Sequence, residues 1–249
     1  MKTKWDYTKL ADAYLKRPDY AISAVDEMIS TAGIKKKNTL CDIGAGAAHL
    51  TIILAKYDLN IIAIEPNKAM RDNGIKRTLN FKNVSWCEGT GENTGQNQRF
   101  FEMVTFGSSF NVCDRKKALE ETARILKPDG WFACMWNHRN LQDPIQSSIE
   151  KIIKNHVTNY GYGTRREDQT KIINESGLFK SVIHINSTVL HEQSITECIG
   201  AWKSHATLER QAGKSFNRVI DEIHNYLLKL GKKTIKIPYT TNIWMSQIK

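Results

Sequence analysis

The sequence predicts an α/β protein: a doubly wound, mostly parallel sheet of seven strands, with helices before it and a helical cap after it. Three observations carry the prediction. Between residues 38 and 136, short apolar segments alternate five times with helical ones. The second such segment, Asn60 to Glu65, is apolar until its last residue, as suits a parallel strand covered on both faces. The first ends in a glycine-rich turn that runs directly into a helix.

The elements follow in order. Tyr7, Leu10, Ala11 and Tyr14 fall at i, i+3, i+4 and i+7, the stripe of an amphipathic helix. Pro18 interrupts it, and Asp19 is the expected N-cap of a second helix through Ala21, Ala24, Val25, Met28 and Ile29, which Gly33 ends. Thr39 to Ile43 reads as strand 1, His49 to Lys56 as a helix, Asn60 to Glu65 as strand 2, and Pro66 to about Arg77 as a helix. Asn83 to Cys87 and Phe101 to Phe106 read as strands 3 and 4. A helix over Asp114 to Leu126 precedes the turn Lys127 to Gly130 and strand 5, Trp131 to Trp136. Ile145 to Tyr160, Ser194 to Trp202 and Phe216 to Leu230 are helical in pattern. Ser181 to Leu190 and Thr234 to Ile248 are β-rich, and Pro238 suggests an edge or a bend. The last two would close the sheet as an antiparallel pair, with 137–180 and 191–233 as capping insertions. This gives one domain in three parts: N-terminal helices over 1–37, an alternating core over 38–137, and cap with final strands over 138–249.

Composition narrows the function. Of 249 residues, 41% are hydrophobic, enough for a packed core. No apolar run approaches the ~18–20 residues that cross a bilayer, and the start lacks the apolar stretch of a signal peptide. Five cysteines without a C-x-x-C pair read as reduced thiols, and a cytoplasmic location is expected. The net charge of +10 is uneven: residues 1–150 carry +3 and the remaining 99 carry +7. Lys35 to Lys37, Arg165-Arg166 and Lys232-Lys233 suit a solvated face, with an anionic partner as the sharper alternative.

The chemistry concentrates in Asp42-Ile43-Gly44-Ala45-Gly46 and in Glu65, 19 residues after Gly46. Glycines let the backbone turn tightly and approach a ligand. An acidic residue at the end of the second strand reaches two ribose hydroxyls. A nucleoside-bearing cofactor over strands 1 and 2 is therefore expected. His49, sixth in the run from Gly44, stands where a nicotinamide-binding turn has Gly or Ala.

These residues resemble motif I of the class I S-adenosylmethionine methyltransferases, which have a Rossmann-like fold. The resemblance extends over about residues 38–137. Ile61 to Met70 looks like the second motif, Gly89-Thr90-Gly91-Glu92 the loop at the adenine edge, and Ala123 to Trp131 the helix and turn into strand 5. Ser109 to Asp114, Met135 to Arg139, Tyr14-x-x-Arg17-Pro18-x-Tyr20 and Ile237 to Thr241 are similar to the subgroup of trans-aconitate methyltransferase-like enzymes. Asn111 and Ser108 depart from the His and Gln often found there, so the acceptor is not carried over.

The resemblance implies S-adenosylmethionine as cofactor and S-adenosylhomocysteine as product. It implies cofactor contacts at Tyr14, Arg17, Asp42, Gly44, Ala45, Gly46, Glu65, Pro66, Met70, Gly89, Thr90, Gly91 and Ser108. Acceptor contacts are expected at Tyr20, Asn111, His138, Arg165 and His205, with His138 as the candidate base. An aromatic lid of Tyr14 and Tyr20 would suit a sulfonium. No histidine spacing suggests a metal site. The expected reaction is methylation of a small molecule at O, N or C, with specialised metabolism as one setting and an anionic acceptor left open. A membrane partner is not expected, nucleic acid is disfavoured, and the oligomeric state is left open. An RNA- or protein-directed methyltransferase is the alternative, and a non-catalytic cofactor-binding scaffold the third reading.

Overall fold

A computed structural model describes residues 8, 11–203 and 205–249. Tyr7 and Leu10, half of the expected first helical stripe, lie outside the described residues; Ala11–Tyr14 form the short helix α1. The sheet has seven strands: β1 (Thr39–Ile43), β2 (Asn60–Ile64), β3 (Val84–Cys87), β4 (Phe101–Gly107), β5 (Leu126–Arg139), β6 (Ile183–Ser194) and β7 (Thr234–Gln247). Their spatial order is β3-β2-β1-β4-β5-β7-β6. The first five are parallel, and β7 runs antiparallel to both β5 and β6. This is the Rossmann-like architecture the sequence predicts. The order reverses at β1, which has β2 on one side and β4 on the other. Loops leaving the carboxyl ends of β1 and β4 therefore diverge there, opening the crevice where such sheets bind ligands.

Both faces of the sheet are covered. On one, α2 (Ile22–Thr31) and α3 (His49–Ala55) bury Val25, Met28, Leu50 and Leu54 against Leu40, Ile61, Met103 and Ile243. On the other, α5 (Arg115–Ile125) and α7 (Thr170–Glu175) bury Leu119, Ile125 and Ile173 beside Cys41, Ile43, Phe106 and Phe132. Residues of opposite faces alternate along each strand, so a central strand must be apolar in nearly every position. α4 (Lys68–Thr78) follows β2.

Local side chains set several boundaries. Asn67 caps α4 by accepting from the Met70 amide at 3.1 Å. Asp143 caps α6 (Pro144–His156), accepting from the Ile145 and Gln146 amides, with Pro144 in the first turn. Asp19 does not cap α2. The cap position is Ala21, whose amide donates to the Thr241 hydroxyl of β7 at 2.8 Å, and the Asp19 carboxylate turns to His49 instead. α2 therefore starts without a side-chain cap, and its cap residue is tied to β7. The expected turn at 127–130 is a bulge inside β5, between the pairs Phe101↔Leu126 and Met103↔Trp131, with Asp129 at φ 63°. Pro238 lies on an interior strand, but one residue beyond the last β5 pair, Arg139↔Tyr239; its carbonyl accepts from the Asn140 amide at 2.9 Å where the β5 ladder has ended.

The cap forms a third apolar cluster. α8 (Ile195–Lys203), α9 (Ala206–Ala212) and α10 (Phe216–Lys229) join α6. Ile153, Trp202, Leu208, Ile223 and Leu227 pack on Ile235, Ile237 and Tyr239 of β7. The long strands β6 and β7 carry this cluster past the ends of the parallel strands, over the crevice.

Candidate active site

The turn after β1 is shaped by backbone conformation. Gly44 and Gly46 have φ of 66° and 55°, in the left-handed region that side chains resist. A Cβ on Gly44 would also collide with the side chain of Ser109. The amides of Gly44 and Ala45 donate to the Ile64 carbonyl at 2.8 and 3.0 Å, tying the turn to the end of β2. Glu65, only 6% exposed, then receives the next amides: Gly46 N–H donates to Oε2 at 2.9 Å and Asn67 N–H to Oε1 at 2.8 Å. Burial raises the Glu65 pKa, and those two amides oppose the rise. Each oxygen keeps a further lone pair, so the carboxylate can still accept from a diol. Asp42 is fully buried and accepts from the hydroxyls of Thr51 (2.6 Å) and Thr105 (3.0 Å); burial pushes its pKa up to about 6. Its position is a brace beneath the turn.

A cleft of about 810 Å3 extends from this turn to the cap. Asp42, Gly44, Ala45, Gly46, Glu65, Pro66, Met70, Thr90, Gly91 and Ser108 line one half. Tyr14, Arg17, Tyr20, Asn111, His138, Arg165 and His205 complete its walls, so the structure brings the expected residues together, with one exception. Gly89 packs behind the loop, where a Cβ would press on Ile64 and the Thr94 carbonyl, and it does not line the cleft. Its smallness serves the loop's closeness to β2.

The lid side is tied down by specific bonds. The Tyr20 hydroxyl pairs with the Ser108 hydroxyl at 2.8 Å, and Tyr20 is 6% exposed, so it forms a packed wall. Burial raises its pKa. The Arg17 guanidinium lies 3.7 Å over the Tyr14 ring, so one face of that ring already carries a cation. His49 anchors the segment: Nε2 meets the Tyr14 carbonyl at 2.8 Å and Nδ1 the Asp19 carboxylate at 3.0 Å.

The two acceptor-side histidines are both held by hydrogen bonds within the chain. His138 Nε2 lies 2.8 Å from the Arg165 carbonyl, which only accepts, so Nε2 carries the proton. Its Nδ1 lies 3.3 Å from the Asn242 amide nitrogen, a donor. Both nitrogens are engaged, and burial lowers the pKa to about 4. His138, which the sequence offers as the candidate base, lines the cleft as a neutral ring that bridges Asn242 of β7 and the 163–166 turn. His205 caps α9, its Nδ1 accepting from the Leu208 amide at 3.2 Å, while its ring stacks on Trp202. Its Nε2 thus carries the proton, and burial holds its pKa well below the usual value.

Residues not singled out for the site also line the cleft: Arg139, Tyr162, Arg166, Gln193 and Tyr239. Arg139 lies 3.9 Å over the Trp202 ring, and its Nε donates to the Tyr239 hydroxyl at 3.1 Å. Arg166 lies 4.1 Å over Tyr162, whose hydroxyl donates to Glu150. Arg139 and Tyr239 stand inside matched segments, 135–139 and 237–241, which was the available signal. Nothing in either segment alone shows that they pair across β5 and β7.

Comparison with known proteins fits this geometry. Residues 41–134 match the family model of a methyltransferase domain, type 11. This segment is a class I methyltransferase domain. Its cofactor is S-adenosylmethionine, and the Glu65 carboxylate with its paired amides and the open glycine turn fit that group. An uncharacterised methyltransferase of Schizosaccharomyces pombe is 30% identical over 148 residues, 59% of this chain and 58% of its own length. The chain thus spans less than two thirds of the curated relatives it matches. The crystal structure of YcgJ from Bacillus subtilis superposes with a TM-score of 0.57 over 92% of this chain and 99% of its own, at 21% identity, which shows the fold. A Methanococcus maripaludis structure assigned to the S-adenosylmethionine-dependent methyltransferases is 26% identical, with a TM-score of 0.55 over 74% of this chain and 90% of its own. Among the described residues, no helix is long and apolar enough to cross a membrane.

Proposed function

We propose that this chain transfers the methyl group of S-adenosylmethionine to a small, anionic acceptor held between the sheet and the cap. The observation that carries the reading is the single cleft, in which the Glu65 and glycine-turn end is continuous with an arginine-rich end under the cap. When bound, the cofactor supplies an activated methyl group on a sulfonium.

The chain's own residues then have positioning work to do. Glu65 accepts from the ribose hydroxyls, while Gly44, Ala45 and Gly46 allow close backbone approach and Asp42 braces them. Thr90 and Gly91 border the adenine, with Pro66 and Met70 beside them, and Ser108 the methionine portion. Arg17 faces that portion's carboxylate, with Tyr14 beneath it. Tyr20, Asn111 and the cap keep water from the acceptor. His138 and His205 hold and donate protons at Nε2. The acceptor therefore arrives with its nucleophilic lone pair already available. Arg139 and Arg166 face the acceptor without a carboxylate within salt-bridge distance among the described residues. That excess of positive charge favours an anion. The reduced thiols expected from the cysteine pattern suit a cytoplasmic enzyme.

The test has two parts. Calorimetry should find one S-adenosylhomocysteine site per chain. An acceptor panel of small acids, amines and phenols, read as S-adenosylhomocysteine release, should turn over with the acids preferred. Binding without turnover of any acceptor would leave a cofactor-binding scaffold instead. Turnover of RNA or protein alone, falling steeply with salt, would point to a macromolecular substrate.

A further inference from the structure

Beside the main cleft lies a chamber of about 200 Å3 that shares Arg17, Ser108, Asn111, Arg165 and His205 with it. Three arginines, Arg17, Arg165 and Arg210, stand in its wall, and among the described residues no aspartate or glutamate does. Arg17 lies over Tyr14 and Arg165 lies 5.2 Å over Tyr162. An aromatic face fixes each of these guanidinium groups and leaves its N–H edge for another partner. Among the described residues, neither Arg17 nor Arg165 has a carboxylate within salt-bridge distance or a hydrogen-bond acceptor for its guanidinium. Glu150, the nearby acid, is engaged by Tyr162 and Lys154.

Burial and the guanidinium groups of Arg17, Arg139 and Arg166 all press on the charge of Arg165. Like charges gathered in a half-buried place repel one another, and an anion between them removes the cost. His205 adds a neutral donor, because its Nδ1 is committed to the Leu208 amide and its proton therefore sits on Nε2. Arg165, Arg210 and the donor border the chamber from the 163–166 turn and α9, beside the Arg17 that the reading above gives to the cofactor's carboxylate.

We propose that this chamber is an oxyanion subsite, receiving a phosphate or carboxylate that the acceptor carries away from the atom being methylated. It rests on the reading of the main cleft as a methyl-transfer site, and it adds where acceptor selectivity resides. Acceptors that share a nucleophilic group would be sorted by whether a second, anionic end reaches Arg165.

The probes are inorganic phosphate and acetate, titrated separately at constant ionic strength into protein saturated with S-adenosylhomocysteine. The readout is the indole N–H resonance of Trp136, whose Nε1 donates to Asn111 in the chamber wall. One saturable site is expected, tighter for phosphate if the group is a phosphate and for acetate if it is a carboxylate. Arg165→Gln and Arg210→Gln should each weaken it at least about five-fold, while Arg165→Lys should keep most of it. S-adenosylhomocysteine affinity should stay within about two-fold of wild type, since these residues stand apart from Glu65. Arg210 is exposed, so its variant tests the chamber even if Arg165→Gln does not fold. Absence of saturation by either anion, or equal binding in both Gln variants, overturns the subsite. Failure of wild type to bind S-adenosylhomocysteine would instead overturn the cofactor reading, and the titration repeated without it would still judge the chamber.

Discussion

The two ends of the cleft are built by opposite means. At the cofactor end, every buried charge already has partners within the chain: Glu65 holds two amides, and Asp42 holds two hydroxyls. At the acceptor end, Arg17 and Arg165 rest on aromatic faces, and among the described residues neither has a carboxylate or a hydrogen-bond acceptor for its guanidinium. A binding end that must present one fixed shape is braced in advance. An end that waits for a charged guest leaves its hydrogen bonds unmade, and it costs stability until the guest arrives.

The sharpest way to break this contrast is Glu65→Ala. Two amides lose their acceptor and the ribose loses its own. Bonds to a charged group contribute about 1.5–3 kcal/mol each, so S-adenosylhomocysteine affinity should fall by roughly 100-fold. Calorimetry decides this: a change below about three-fold would remove Glu65 from the cofactor site.

The same contrast explains what the sequence made legible. Gly44, Gly46 and Glu65 sit within one βαβ unit, and short range fixes their relation: a strand, a turn, a helix and the next strand. The acceptor end draws Arg17, Arg139, Arg165 and His205 from four distant segments. Only the pairing of β5 with β7 and the docking of the cap bring them together. Arg139 and Tyr239 become neighbours through the ladder pair that ends β5, a register that no local pattern encodes. The surroundings of His138 were hidden for a related reason. A histidine beyond strand 5 is well placed for a base, but its two partners, Arg165 and Asn242, are 27 and 104 residues away. Asp19 shows the effect in small: its carboxylate goes to His49, 30 residues on, and not to the start of α2.

A smaller but more discriminating effect concerns Asp42. Its pKa of about 6 in the folded chain lies above the ~3.9 of an exposed aspartate. The folded state therefore binds the proton more tightly. The stability this contributes is fully present below about pH 4 and is lost as the pH rises through about 6. Asp42→Asn should flatten that slope, a difference on the order of 2–3 kcal/mol across the window. Paired denaturant melts at pH 4.5 and 7.5 measure it, and parallel pH profiles would refute a buried, strained carboxylate. At the other end, Arg139→Met should have the reverse character. Replacing a half-buried cation that has no carboxylate partner among the described residues with an apolar chain of similar length should leave the melting temperature unchanged or higher, while the KM for an acid acceptor rises about ten-fold. A strongly destabilised Arg139→Met would mean that the guanidinium is structural, held by Trp202 and Tyr239.

The smallest expected effect lies where the two ends meet. His49 opens α3 and grips the lid through the Tyr14 carbonyl and the Asp19 carboxylate. The bond to Asp19 is largely exposed on the carboxylate side and is worth little; the bond to Tyr14 is the more sheltered. His49→Ala should therefore loosen residues 11–19 without unfolding the sheet. Amide exchange in that segment should quicken, and S-adenosylhomocysteine affinity should drop only about three-fold. If exchange quickens and affinity holds, the lid serves the acceptor end alone, and Arg17 belongs wholly with Arg165. If both change, the lid couples the two ends, and the ordered cofactor end helps to set the shape of the chamber where the anion is received.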